Sequence, residues 1–255
     1  MTTFDLDTVL LFLLALARTS AWVAAAPLLN AKGMAGVGRT ALGIGLAMFV
    51  AAQAASTGPP PDDIAAFFAV AVSQVAIGII LGWSTGLALA TFQSAGTLID
   101  LSGGFSMSSL FDPSTGAQQG AISRLFGLLF LALFYATDAH LVVVGGFLRS
   151  FDALPPNELP LFRADSVTLA AQAVADLMLA ALEIAAPIVG ALFLTEVALA
   201  IAARFAPQAN VFIIGMPLKM MLSLVLLGST LVFLPGYAES IVDSTTRLGA
   251  GLVSP

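Results

Sequence analysis

The residues best equipped for chemistry in this chain are charges set in greasy surroundings. Arg18, Asp138, Asp176, Glu183 and Glu196 each lie inside or beside a long apolar block. A charge at the centre of a membrane-spanning helix costs about 2.5–3.5 kcal/mol on insertion scales, so each needs a reason. One reading is a proton or ion relay, in which carboxylates that hold their protons tightly pass them along the interior. The other is packing, with every charge paired against a neighbouring helix or wet. Asp176 and Glu183 stand seven residues apart and share a helix face, whereas Glu196 lies thirteen further on and falls off that stripe. A relay needs its acids along one line, so the spacing favours packing. His140, the single histidine, follows Asp138 by two positions and points to a different helix face. The favoured reading of it is a satisfied interior residue rather than a switch.

The remaining chemical inventory is short. With no cysteine there is no disulfide, thiolate nucleophile or cysteine-ligated metal, and one histidine cannot build a metal cluster. No nucleophile–base pair, phosphate-binding glycine loop or metal-ligand spacing occurs. The reading is therefore of a protein that is not an enzyme and takes no cofactor. A net charge of −6 lacks the basic footprint that nucleic acid requires.

A different kind of site is suggested by GGFSMSSLFDPSTGAQQG, residues 103–120. Glycines, serines, Asp112 and Pro113 interrupt two of the most apolar blocks of the chain. Yet Phe105, Met107, Leu110 and Phe111 fall within seven positions, more large apolar side chains than a solvated loop exposes. Non-helical backbone at membrane depth survives only against protein or a water-filled cavity. Flexible backbone with bulky apolar tips suits something that fills a hole and moves aside, ended by a turn at Asp112-Pro113. An ordinary solvated loop is the alternative.

The elements that must position these residues follow from composition. Of 255 residues, 59% are hydrophobic and 9% charged, against about 25% charged in ordinary globular domains. A span needs about 20 mostly apolar residues, and about six such blocks are present. They run roughly over 8–31, 40–56, 64–99, 121–148, 167–204 and 218–234. Asp5 and Asp7, with no early basic residue, argue for a retained first span rather than a cleaved leader. The third block is long enough for one span with overhang or a tight hairpin, with a kink expected near Gly82, Ser84, Thr85 and Gly86. Gly82 and Gly86 also fit the spacing that lets helices approach closely. Residues 150–166, rich in proline and acids, are expected to be a loop, and 206–217 an irregular turn with Pro217 opening the next helix. After Pro235-Gly236 the tail is polar enough to leave the membrane. Lys32 with Arg39, Arg204 with Lys219, and Arg124 mark three loops expected on the cytoplasmic face. The expected fold is all-α and of integral-membrane type.

ALARTSAWVAAAPLL, GGFSMSSLFDPSTGAQ, the block from Arg124 to His140 and LTEVALAIAARFAPQANVFIIGMPLKMML together resemble the FliR/SctT family of type III secretion export-gate subunits. The resemblance covers most of the chain, and the DPSTGAQ and APQANVFIIGMPLK motifs are the most specific; the PPPDD linker and the tail match least. It implies a FliP-like part over about 1–166, including a plug loop at 103–120, and a FliQ-like helical hairpin with tail over about 167–255. One such subunit joins FliP and FliQ subunits around a pore that passes unfolded flagellar substrates across the bacterial inner membrane, at the flagellum basal body. FlhB-type and FlhA-type export proteins are further implied partners. The implied plug comprises Gly103, Gly104, Phe105, Ser106, Met107, Ser108, Ser109, Leu110, Phe111 and Asp112. Glu196, Arg204, Pro207 and Lys219 are implied at subunit packing or the hairpin tip. Rival expectations are an export-gate subunit of a virulence injectisome, a scaffold for other membrane proteins, and a stand-alone small-solute transporter or channel. A transporter of that kind tends to carry two corresponding broken helices, and no such symmetry is evident here.

Overall fold

The computed structural model describes residues 6–27, 36–54, 58–105, 120–160, 166–205 and 211–253. The regular elements among them are helices: α1 (Leu6–Ala25), α2 (Gly36–Ala54), α3 (Ile64–Gly103), α4 (Ala121–Ala136), α5 (Ala139–Ala153), α6 (Ser166–Phe205), α7 (Val211–Thr230) and α8 (Leu234–Val253). In lipid a helix satisfies its own backbone, which is why so apolar a chain forms little else. Among the described residues four helices (α1, α3, α6 and α7 from Ile213) are long and apolar enough to cross a membrane, and a fifth span results if α4 and α5 count as one broken pair. The protein is an all-α chain of membrane type.

Two helices beyond the six blocks come from two corrections. The block at 121–148 is broken at Thr137 and Asp138, and its second half runs on to Ala153, into the stretch read as loop. Asp138 has φ 55, left-handed backbone that aspartate tolerates better than most residues. It precedes α5 as its N-cap residue, exposed, and is not a charge inside a helix. The second is the tail, read as polar enough to leave the membrane: it is a helix, and not one of those long and apolar enough to cross. Its buried positions Leu234, Ala238, Val242, Thr245 and Gly249 recur every three or four residues, giving α8 one covered face. Pro235 is the second residue of that helix, where a missing N–H costs nothing.

Two smaller differences concern breaks that do not occur. α3 is one uninterrupted helix of 40 residues, which fits the reading of one span with overhang and excludes the tight hairpin. α7 begins at Val211, which leaves Pro217 inside the helix rather than in its first turn.

By contact the chain forms two compact units, interleaved in sequence: 1–88 with 138–174 and 242–255, and 89–137 with 175–241. In the first, Trp22 of α1 stacks on Phe147 of α5 at 4.1 Å between ring centroids, and Phe151 meets Phe147 edge-on. α1 also presses into a glycine groove on α3. A β-carbon at Gly78 would overlap the carbonyl oxygen of Arg18, and one at Gly82 would come within 2.6 Å of the Ala25 β-carbon. The Gly82–Gly86 spacing is thus used and extends one turn earlier to Gly78, with a β-carbon at Gly86 coming 3.0 Å from the Pro27 ring. In the second unit Phe92 of α3 meets Phe130 of α4 at 4.7 Å, and Phe126 and Phe134 are buried on the same stripe of α4.

Candidate functional site

Gly103, Gly104 and Phe105 are the sequence-predicted plug residues that lie among the described residues; Ser106 to Asp112 lie outside them. α3 ends at Gly103 because Gly104 takes φ +82, a left-handed value that a side chain would oppose. The Phe105 ring folds back so that a β-carbon at Gly103 would sit 3.1 Å from it and 3.6 Å from Ser223 Oγ. A β-carbon at Gly104 would lie 3.9 Å from Met216 Cε. The entry of the segment is therefore seated against α7, which carries both Met216 and Ser223. Ser223 Oγ donates to the carbonyl of Met220, one turn back on α7.

The exit of the segment is built by a residue that the sequence reading passed over. Asp100, in the last turn of α3 and 1% exposed, accepts the N–H of Ile122 at 3.0 Å and of Ser123 at 2.8 Å. These are amides of the first turn of α4, which have no partner within their own helix. The N-cap position itself is Gly120, which has no side chain to offer. A β-carbon there would overlap the Asp100 carboxylate, so glycine is required by space rather than by backbone angle. Gln93, Gly96, Thr97 and Asp100 share one face of α3 and fasten the start of α4. Ser123 Oγ donates to the Gln93 carbonyl at 2.9 Å, and the Thr97 and Ser123 hydroxyls are 3.1 Å apart. One signal existed in the sequence: an acid near a helix C-terminus opposes the helix dipole, so Asp100 has no local reason to be there.

The hairpin residues divide. Glu196 of α6 and Lys219 of α7 form an ion pair at 3.1 Å, with Lys219 17% and Glu196 66% exposed. A β-carbon at Gly215 of α7 would come 3.0 Å from Leu199 Cδ1 of α6, so a small residue lets the two arms close. Arg204 is exposed in the last turn of α6, where a cation suits the dipole. Pro207 lies outside the described residues.

Of the five charges that the sequence sets in or beside apolar blocks, Arg18 is the one the fold buries. Its guanidinium donates to Gln74 Oε1 at 2.6 Å and to the carbonyls of Ser150 and Leu154 at 2.9 Å each, and its carbon lies 4.1 Å from the Phe151 ring centroid. The carbonyls belong to the C-terminal end of α5, so Arg18 caps that helix from α1. Asp176, Glu183 and Glu196 are exposed on α6, and none is an interior acid of this chain.

The chain matches the bacterial export proteins, family 1, over residues 9–245. It is 32% identical to the flagellar biosynthetic protein FliR of Bacillus subtilis over 221 residues, 85% of this chain and 84% of that one. Identity is 28% to the flagellar biosynthetic protein FliR of Pectobacterium carotovorum, covering 93% of this chain and 90% of that one. It is also 28% to the Yop proteins translocation protein T of Yersinia pestis, covering 60% of this chain and 59% of that one. With all but the two ends matched, and with an all-helical apolar fold, this chain belongs to the bacterial export proteins, family 1, the family of the FliR-type proteins.

Proposed function

We propose that this chain is a subunit of the flagellar type III protein export gate. With FliP and FliQ subunits it forms the pore by which unfolded substrates cross the inner membrane, and residues 103–112 plug that pore at rest. FlhB-type and FlhA-type proteins are the further partners of this reading, and the α6–α7 hairpin is its FliQ-like part. The observation that supports it is the junction at Gly103–Phe105: a long apolar helix ends at a left-handed glycine, the two glycines lie beside α7, and an aromatic side chain folds back on Gly103. In a chain of an export family, an apolar stretch launched from such a hinge suits a stopper better than a solvated loop. Deleting residues 106–110 is expected to leave the gate assembled and to let ions leak through the membrane. Unchanged conductance in an assembled deletion variant would sink the plug.

A virulence injectisome subunit is the second reading, supported by the likeness to the Yop translocation protein. The flagellar reading is preferred because the FliR relatives cover far more of the chain. Restoration of swimming in a strain lacking its own FliR, without restoration of injectisome secretion in the matching deletion, is the expected discrimination.

A further inference from the structure

We infer that Asp100 is the positioning residue of the plug segment: capping α4 from the end of α3, it ties the two ends of that segment together. The inference rests on the plug reading above. Capping acids normally stand at the N-cap of the helix they serve. Here the acid comes from 22 and 23 positions upstream of the amides it accepts. Its placement is unfavourable in its own helix and favourable at the N-terminus of α4, so the contact is what keeps a carboxylate in an almost fully buried place. The approach is exclusive, because a β-carbon at Gly120 would occupy the carboxylate's position. Around it, the face of α3 formed by Gln93, Gly96 and Thr97 holds Ser123 against lateral movement. A β-carbon at Gly96 would meet the Ser123 backbone 2.5 Å away. Whatever course residues 106–119 take, the chain therefore leaves and re-enters at one fastened spot.

The test uses the complete export assembly in membrane vesicles, with ion conductance as the readout. Asp100→Ala is expected to leak like the 106–110 deletion. Asp100→Asn, which keeps one acceptor oxygen, should leak less. Gly120→Ala should leak with the carboxylate still present, because it displaces the anchor from the other side. Added to the deletion, Asp100→Ala should give no further leak, a result that general loosening of the protein does not produce. Tight Asp100→Ala and Gly120→Ala assemblies beside a leaking deletion, or an additive leak in the double variant, overturn the inference. If Asp100→Ala fails to assemble, Asp100→Asn and Gly120→Ala decide by the same outcomes. If the deletion itself does not leak, the plug reading falls, and hydrogen exchange judges the tie alone. A loss of about tenfold in protection at the Ile122 and Ser123 amides of Asp100→Ala sustains it, and unchanged protection overturns it.

Discussion

At the scale of single residues, buried charge is stabilised here by backbone rather than by opposite charge. Arg18 has no carboxylate among the acceptors just described. It holds the carbonyls of Ser150 and Leu154 and the amide oxygen of Gln74, whose own Nε2 donates to the Pro156 carbonyl at 3.2 Å. Replacing Arg18 by Met leaves buried acceptors without donors, each such loss costing about 1–3 kcal/mol. The expected outcome is a lower thermal unfolding midpoint of the detergent-solubilised assembly. Arg18→Lys should recover little of it, because an ammonium cannot reproduce the planar fork that reaches three acceptors. The sequence marked Arg18 as a charge out of place but could not name its partners. Two of them are backbone carbonyls 132 and 136 positions away, and a carbonyl leaves no mark in residue type. Asp100 escaped for a related reason. It lies at the edge of an apolar block, where an acid reads as the beginning of a loop, and its partners are again backbone groups.

At the scale of elements, close approach of α1 and α3 depends on absent side chains. Gly78→Ala would drive a β-carbon into the Arg18 carbonyl, backbone that cannot swing away. The expected cost is about 1–3 kcal/mol, the range for overpacking a close contact. Gly45→Ala in α2 meets nothing within 4 Å and should be neutral or stabilising by up to about 1 kcal/mol. Chemical denaturation of the two variants in the same detergent checks the contrast. The long apolar helices were legible, because about twenty apolar residues in a row permit few alternatives. The breaks were not. YATDAH contains neither glycine nor proline, yet Asp138 breaks the helix by adopting left-handed backbone. Conversely Gly82 and Gly86 lie inside one helix, since packing against α1 rewards glycine there for its size rather than its freedom. The α8 helix was missed because its polarity was weighed without its three-to-four-residue period.

At the scale of the whole molecule, a large share of the apolar side chains remain uncovered by the chain's own packing. Expressed on its own, the protein is expected to stay with the membrane pellet in alkaline carbonate, as integral proteins do; release into the supernatant would contradict the spans assigned to α1, α3, α6 and α7. The length of two helices adds a further consequence. At 1.5 Å per residue, the 40 residues of α3 and of α6 each amount to about 60 Å of helical length, with Pro187 lying within α6. The acyl layer is only about 30 Å thick, and matching it by leaning alone would need a tilt near 60°, well beyond the usual range. Exposed apolar side chains nevertheless recur along both helices, from Ile64 to Leu101 and from Val167 to Phe205. A straight crossing would leave about half of such a length outside the hydrocarbon, and an apolar stripe there is expected to need a protein cover in place of lipid.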